Sequence, residues 1–583
     1  MATHDLIIRN GLVYDGTGDA PVEADIAIDN GVISMLGKFS GKFSGKGREE
    51  IDAKGQIVTP GFVDVHTHYD GQATWGDALD PSSLHGVTTA IMGNCGVGFA
   101  PVHDDDHDRL IHLMEGVEDI PFPVLAEGLP WKWRSFPDYL DYLTHRPFDI
   151  DLGAQLPHAA MRVHVMGQRG VDREPATAED IAQMQAIAEE AVNAGALGFT
   201  SSRTLNHRSS TGDPTPTLTA GEEELLGIAM GLAKAGKGVL QFVSDFDDGP
   251  AERAMLRRLV EQSGRPLSVS IAQANSKPTL WRELTDWLEQ GMADGLAMRG
   301  QVGPRPVGVL LGLDLTLNPF SGHPSFQKIA HLPREEKVTA LRDPVFRDNL
   351  LAEQGDKENP FVRALLANFG CMFVLTDPPD YEPTRDKTIA AIAAQRGDTA
   401  EAVALDLMLA NDGRGVLYFP FLNYADGNLE STRTMLMSEA TIPGLSDGGA
   451  HVGMICDGSF PTTLLVHWAR DRTRGDKLPL EFLVKRQSHD TASWIGLHDR
   501  GLIKPGYRAD LNVIDFDRLR LHLPEVTYDL PAGGRRLMQR ADGYTATIVK
   551  GAITYLNGSP TGHKPGRLVR GAQAAPVQAL AAE

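Results

Sequence analysis

The sequence of 583 residues predicts an α/β protein with three parts: a TIM-like (β/α)8 barrel, a small β-sandwich built from both termini, and an insertion over the barrel mouth. Residues 1–59 and 501–571 consist of short β-like runs separated by turns. Residues 60–500 alternate short apolar runs with long amphipathic segments, which favours a parallel sheet, and their length suits eight such units. At about 300–440 this alternation breaks, and proline and charged residues become frequent. This break in the pattern predicts that the region is the insertion.

The two terminal segments share one pattern. In the N-terminal segment, Asn30-Gly31 lies between two alternating runs and is typical of a two-residue hairpin turn. In the C-terminal segment, Asn557-Gly558 marks a similar turn. Because the two ends resemble each other and not the middle, they predict a single sheet domain. The Ala-rich residues 572–583 predict a flexible tail.

The barrel region contains helical segments such as 178–194 and 220–235, each followed by a glycine, as is common where helices end. Apolar β-branched runs such as 238–243 lie between them. The alternative is an open doubly wound sheet. It is less favoured because no glycine-rich phosphate-binding loop opens the first unit.

Composition limits the classes of function. The chain has 55 Lys+Arg and 77 Asp+Glu, and the formal net charge of −22 is spread along it, which disfavours nucleic acid and anionic membranes as partners. Three cysteines, Cys95, Cys371 and Cys456, are too few for a disulfide framework, which favours a reducing compartment. No run of about 18 apolar residues is present. We therefore expect a cytoplasmic protein.

The most informative stretch is an apolar run that begins at Pro60 and ends in His66-Thr67-His68. Side chains alternate along a strand, so both imidazoles point to one face. At the carboxyl end of a barrel strand that face is turned to the mouth, where such barrels hold their sites. His-X-His is weak evidence in isolation, but at the end of this strand it predicts a metal site.

Two further segments carry candidate metal ligands. Cys95 follows the next strand-like run, where a nearby cation would hold it as a thiolate. Asp447 ends a short strand-like run before two glycines, where it can contact a metal and a metal-bound water together. Each residue has an alternative interpretation on its own: Cys95 as a small buried apolar side chain, and Asp447 as a turn residue that caps backbone amides.

Three motifs together carry a family resemblance: His66-X-His68, Gly93-Asn-Cys95-Gly and Ser446-Asp447-Gly-Gly-Ala-His451. In this order they resemble the amidohydrolase superfamily and, more narrowly, its N-acyl-D-amino-acid deacylase (D-aminoacylase) branch. The resemblance covers about residues 5–560. It implies that His66, His68, Cys95 and Asp447 are metal ligands, that the cysteine takes the bridging position, and that Asp447 is also the proton shuttle.

The chain departs from this branch at two strand ends. Where the branch has Ser-His, this chain has Ser244-Asp245, and Ile271 stands where a second histidine would follow the next strand. The second metal site would therefore lack its nitrogen ligands. We expect one Zn²⁺, with Asp245 as an additional ligand, and two ions only if other residues replace the missing histidines. Imidazole, thiolate and carboxylate ligands favour Zn²⁺ over Mg²⁺ or Ca²⁺.

Five residues at predicted strand ends or in mouth loops are candidates for contact with a substrate: His158, Arg203, His207, Arg208 and His451. A bidentate pair from Arg203 or Arg208 would suit a substrate carboxylate, although a surface ion pair accounts equally well for each arginine. A satisfied core histidine is the alternative for His158.

The resemblance implies hydrolysis of a linear amide in a small N-acyl amino acid, by a zinc-bound hydroxide. Two alternatives stay open. The same centre would also hydrolyse a cyclic amide or an ester, and a barrel that lost its second metal site would be a non-catalytic protein. The sequence does not specify the acyl group, the stereochemistry or the oligomeric state, so a homo-oligomer also stays open.

Overall fold

The computed structural model describes residues 3–37, 45–355 and 365–577. Within these ranges, every helix is too short or too polar to cross a membrane. The predicted flexible tail, 572–583, lies partly outside the described residues, which end at 577. Inside the described part, Gln573 forms a parallel bridge with Leu497.

Both termini contribute to one nine-stranded sheet. Its strands are β1 (Thr3–Val13), β2 (Val22–Asp29), β3 (Val32–Gly37), β4 (Lys46–Asp52), β5 (Ile57–Pro60), β18 (Leu511–Ile514), β23 (Tyr544–Val549), β24 (Ala552–Leu556) and β25 (Ser559–Pro560). Strand β5 joins the two halves, because it pairs with β1 on one side and with β18 on the other. Asn30 and Gly31 both have positive φ and form the β2–β3 turn that the sequence predicts.

Eight parallel strands form the barrel, with β8 and β9 as one interrupted strand. They are β6 (Phe62–Asp64), β7 (Val87–Met92), β8 (Asp151–Ala154) with β9 (Leu156–Pro157), β10 (Gly198–Arg203), β11 (Val239–Ser244), β12 (Leu267–Ser270), β13 (Met298–Val302) and β17 (Thr441–Pro443). The first and last strands meet just beyond their ends, where Thr67 pairs with Gly448. The α/β barrel that the sequence predicts is present.

Helices connect these strands. Before the insertion they are α1 (Gln72–Trp75), α2 (His107–Glu118), α3 (Phe122–Gly128), α4 (Phe136–Thr144), α5 (His158–Met166), α6 (Gln168–Val171), α7 (Ala178–Ala194), α8 (Glu222–Ala235), α9 (Gly249–Ser263) and α10 (Leu280–Ala293). Helix α7 has the predicted bounds, because Thr177 and Asp180 form a capping box at its start and Gly195 ends it at a φ of 119°.

The insertion lies between β13 and β17 and has a hydrophobic core of its own, which includes Leu341, Val403 and Leu417. Its elements are β14 (Gly308–Leu311), α11 (Pro324–Ile329), α12 (Arg334–Arg342), α13 (Pro344–Ala352), β15 (Phe373–Val374), α14 (Ile389–Arg396), α15 (Ala400–Met408), α16 (Ala410–Gly413), β16 (Leu417–Pro420) and α17 (Glu430–Met437). It reaches the barrel mouth, where the Leu310 amide donates to the Met454 carbonyl over 2.7 Å.

After β17 the chain forms α18 (Phe460–Leu465), α19 (Leu480–Lys485) and α20 (Thr491–Trp494), and then enters the terminal sheet. Four strands of the C-terminal segment stay outside that sheet: β19 (Arg520–Leu521), β20 (Glu525–Leu530), β21 (Gly534–Met538) and β22 (Ala541–Asp542). The β20–β21 hairpin lies at the barrel mouth, where the Leu537 amide donates to the Val452 carbonyl over 2.7 Å. From the sequence this hairpin was predicted to be part of the sandwich, but it forms a separate two-stranded sheet.

Candidate metal centre and active site

His66 and His68 follow the first barrel strand, and each is only 1% exposed. Both the backbone amide and the hydroxyl of Thr67 between them donate to the Ile91 carbonyl of the next strand. This anchors the turn, so both imidazoles enter the barrel mouth, with ring centroids 5.5 Å apart.

Cys95 lies in a short turn after β7, at a φ of 55°, and is buried. Its Sγ is 3.4 Å from Nε2 of His66. The turn is held by the Asn94 amide group, which donates to the carbonyls of Thr67 and Ile91. Burial raises the pKa of the Cys95 thiol to about 12, so the thiolate form requires a nearby cation.

Asp447 follows the last barrel strand, at a φ of 49°. Its Oδ1 lies 3.3 Å from Nε2 of His66 and 3.4 Å from Nε2 of His68. Burial tends to raise the pKa of this carboxyl, but the contact with His68 and the charge of His66 outweigh burial, and the net shift is downward. The Asp447 amide donates to the His66 carbonyl, which fixes the two loops together.

The four donor atoms fit one metal ion. His66, His68 and Cys95 offer atoms that all lie within 4.8 Å of one another, and Asp447 Oδ1 adds a fourth close to both imidazoles. Around a tetrahedral ion with metal–ligand bonds near those of Zn²⁺, the ligand atoms would be about 3.3–3.6 Å apart. The distances of 3.4 Å from His66 to Cys95, 3.3 Å from His66 to Asp447 and 3.4 Å from His68 to Asp447 lie in this range. Nε2 of His68 is buried and has no hydrogen-bond partner among the described residues. A bound cation would satisfy it.

Two residues that the sequence analysis missed orient these imidazoles. Nδ1 of His66 lies 2.6 Å from the Gln301 amide oxygen, within hydrogen-bond distance. Nδ1 of His68 lies 3.2 Å from Oε1 of Glu118, an ion-pair contact without hydrogen-bond geometry. A partner at Nδ1 turns Nε2 toward the centre and keeps it free for a metal. No local motif marks either residue, because Gln301 lies in β13 and Glu118 ends helix α2.

Two buried carboxylates connect the three loops that carry the candidate ligands. Asp64 accepts hydrogen bonds from the His66 amide and the Ser446 hydroxyl, so it links the first and last barrel strands. Asp70 accepts a hydrogen bond from the Gly93 amide over 3.0 Å, so it links the first loop to the Cys95 turn. The ligands from different strands are therefore held in one rigid arrangement.

Two of the predicted substrate residues lie beside the centre. Nε2 of His451 is 3.5 Å from Oε2 of Glu118 and 3.9 Å from Oδ2 of Asp447. Nδ1 of His207 lies 2.7 Å from the Ser202 hydroxyl, and burial together with the charge of His451 lowers the pKa of His207 to about 3. The structure thus brings both histidines to the mouth near the ligands.

The other three substrate candidates have protein partners instead. His158 is fully buried, and its two nitrogens lie 2.8 Å from the Ser201 hydroxyl and 2.9 Å from Glu224. It is therefore a satisfied core histidine. Arg203 pairs with Glu252 over 2.7 Å. Arg208 is exposed and donates to backbone carbonyls of its own loop.

The structure does not place Asp245 among the candidate ligands, contrary to the expectation from the sequence. Its carboxylate accepts hydrogen bonds from the Thr204 hydroxyl over 2.6 Å and from the Leu205 amide over 2.7 Å. The side chain is turned toward the loop after β10 because that loop offers two donors. Ile271, at the other departure from the branch, is a fully buried apolar residue.

A small cavity of about 20 Å³ lies beside Asp447, lined by Gln72, Ala450, Asp457 and Arg536 among others. Arg536 belongs to the β20–β21 hairpin and is held by Asp80 and Asp529, each over 2.8 Å. The Asp447 loop therefore lies on one side of the cavity and the C-terminal hairpin on the other. A cavity of this size holds about one water molecule.

The chain is similar to several known proteins along most of its length. An uncharacterised protein of Mycobacterium tuberculosis is 29% identical over 600 residues, covering 95% of this chain and 92% of that protein. The D-aminoacylase of Alcaligenes xylosoxydans xylosoxydans is 26% identical and covers 97% of each chain. Among solved structures, N-acyl-D-glutamate deacylase of Bordetella bronchiseptica shares the fold with a TM-score of 0.64 at 21% identity, covering 97% of this chain and all of that one.

The family model described as "Amidohydrolase family" matches residues 49–555. This range includes the whole barrel, the insertion and the terminal-sheet strands β5, β18 and β23, together with parts of β4 and β24. The resemblance predicted from the three motifs is thereby confirmed. The chain belongs to the amidohydrolase family.

Proposed function

We propose that this protein is a metal-dependent deacylase that hydrolyses the linear amide bond of an N-acyl amino acid. The observation that carries the proposal is the position of Asp447. Its Oδ1 lies 3.3 and 3.4 Å from the two Nε2 atoms, and the same residue lines the cavity. A carboxylate in this position would contact both a bound metal and the water that attacks the substrate.

His66, His68, Cys95 and Asp447 would hold one Zn²⁺. When bound, the ion would lower the pKa of a water molecule and polarise the substrate carbonyl. Asp447 would accept the proton of the attacking water and return it to the leaving amine, as a general base becomes a general acid in the second half of hydrolysis. Its Oδ2 faces His451, so the carboxylate has one oxygen for the ligand cluster and one outside it.

The choice of an N-acyl amino acid rests on the relatives. A curated relative that matches 97% of this chain is named D-aminoacylase. The solved structure of N-acyl-D-glutamate deacylase contains zinc and a phosphonate that mimics the tetrahedral intermediate. We therefore infer a D-amino acid on the amine side, while the acyl group and the side chain are left to measurement.

A panel of substrates tests this proposal. The purified protein, loaded with Zn²⁺, is incubated with N-acetyl-D-amino acids, their L-enantiomers, a hydantoin and an ester, and release of amine or acid is measured. We expect amine release from at least one N-acetyl-D-amino acid, loss of activity in a chelator and recovery with Zn²⁺. Turnover of only the hydantoin or only the ester would contradict the linear-amide assignment. A protein that binds no Zn²⁺ and turns over no member of the panel would favour the non-catalytic alternative.

A further inference from the structure

Glu118 is the last residue of helix α2 and is only 1% exposed. This is an unfavourable place for a carboxylate, because burial disfavours the charged form and the C-terminus of a helix carries partial negative charge. A glutamate in such a place needs compensating partners, and among the described residues its ion-pair partners are two histidines of the candidate site.

The two carboxylate oxygens reach two different elements. Oε1 lies 3.2 Å from Nδ1 of His68, and Oε2 lies 3.5 Å from Nε2 of His451. The backbone carbonyl of Glu118 also accepts a hydrogen bond from the His451 amide. One residue therefore contacts a candidate metal ligand with one oxygen and fastens the loop that carries Asp447 with its other oxygen and its carbonyl.

That loop needs fastening because of its backbone conformation. Leu445, Asp447 and His451 have φ values of 61°, 49° and 52°, in the left-handed region that non-glycine residues rarely adopt. Such conformations persist only where the surroundings impose them. The segment after β6 holds the beginning of the loop, since the Asp447 amide donates to the His66 carbonyl. Glu118 holds its end at His451.

His66 and His68 differ in the group behind them. His66 faces the neutral amide oxygen of Gln301, whereas His68 faces a carboxylate. A carboxylate behind a metal-bound imidazole fixes the ring and makes it a more basic ligand. Of the two imidazoles, His68 should therefore depend more on its supporting residue.

We propose that Glu118 is a positioning residue that aligns the His68 ring for the metal and, at the same time, fixes the Asp447 loop through His451. This inference rests on the metal centre proposed above. The partners of Glu118 come from two segments that are far apart in sequence, so the residue couples ligand geometry to the position of the proton-transfer group.

The test compares Glu118→Gln with Glu115→Gln. Glu115 lies one turn earlier on α2 and accepts a hydrogen bond from the Phe122 amide, so its variant carries the same chemical change in the same helix, away from the centre. The Kd for Zn²⁺ is measured by competition with a chelating dye, and the absorption spectrum is recorded after Co²⁺ is added to the metal-free protein. Glu118→Gln should weaken Zn²⁺ binding about 10–100-fold and change the Co²⁺ spectrum, whereas Glu115→Gln should do neither.

The outcomes separate the two proposals. If Glu118→Gln binds Zn²⁺ as wild type does, with an unchanged Co²⁺ spectrum, the positioning role is wrong and the metal centre stands, even if the variant melts at a lower temperature. If wild type binds no Zn²⁺, the metal centre itself is wrong, and with it the positioning role. Should Glu118→Gln fail to fold, Glu118→Asp gives the same decision, since the shorter side chain withdraws the carboxylate from His68.

Discussion

Asp447→Asn is the substitution that most directly tests the proposed chemistry. The side chain keeps its size and an oxygen that can face the two imidazoles, now 3.3 and 3.4 Å from the carboxylate, but it loses the ability to take a proton. Three candidate ligands, His66, His68 and Cys95, are untouched. We therefore expect the folded variant to retain Zn²⁺ at saturating concentration and to lose general acid–base catalysis.

The expected loss of rate in Asp447→Asn follows from the proposed role of Asp447 as the general base and acid. Positioned general acid–base groups contribute about 10²–10⁴-fold to rate. A loss of that size raises the activation free energy by about 3–5 kcal/mol. The measurement is kcat and KM on the substrate found in the panel, together with zinc content by mass spectrometry.

Asp119→Asn provides the matched control. Asp119 lies at the same mouth and accepts hydrogen bonds from the Gly453 amide over 3.0 Å and from the Thr316 hydroxyl. It has no place in the proposed proton transfer, so its variant should keep most of the wild-type kcat. If Asp447→Asn with full zinc content keeps more than about a tenth of the wild-type kcat, against the 10²-fold minimum expected of such a group, the proton-transfer assignment is wrong.

Three further predictions follow from the structure. Cys95→Ala should lose bound Zn²⁺, whereas Asp245→Ala should retain it, because only the cysteine lies in the ligand cluster. Equal zinc content in the two variants would contradict the single-site assignment. Burial lowers the pKa of His85 to about 4, so stability should be full above about pH 6.5 and fall as pH decreases to about 4, by about 3 kcal/mol. Chemical unfolding across this range should show a flatter profile in His85→Gln than in wild type. Leu405→Ala, in the separate core of the insertion, should lower the free energy of unfolding of the insertion by about 2–5 kcal/mol. If calorimetry shows two transitions and the substitution lowers the temperature of the first one only, the insertion unfolds independently of the barrel.

The primary candidate ligands could be predicted from sequence because each is encoded locally. His66 and His68 share one strand face, Cys95 ends the next strand, and Asp447 precedes two glycines. The parallel barrel then brings the carboxyl ends of these strands to one rim, whatever the packing details. Local periodicity and the barrel rule place these residues at one rim, whereas their role as metal ligands comes from the family resemblance and stays a prediction.

The supporting residues could not be predicted in this way. Gln301 is 235 positions away from His66, and no short motif links them. Glu118 ends an amphipathic helix, where a glutamate normally faces solvent. Asp245 was mispredicted for a related reason: a strand end places a residue at the rim, but the donors of Thr204 and Leu205 turned its side chain away.

The C-terminal hairpin shows a similar limit at the level of the fold. Its strands, Glu525–Leu530 and Gly534–Met538, come from the same kind of short β-like sequence runs as those of the terminal sheet. A periodicity of two identifies a strand and does not identify its partner. The hairpin lies at the mouth because Arg536 forms an ion pair with Asp80 of the barrel region. These two residues are far apart in the sequence.

The arrangement at the mouth couples substrate access to the candidate chemistry. Val452, Gly453 and Met454 directly follow the Asp447–His451 loop, and their carbonyls accept hydrogen bonds from the hairpin and from the insertion. Both covering elements are therefore fastened to the segment that extends from the proton-transfer residue. Since Asp447 has a left-handed backbone that its surroundings must impose, a displacement of either cover would be transmitted to its carboxylate. Under the proposed mechanism, we therefore expect substitutions that displace either cover to change kcat as well as specificity.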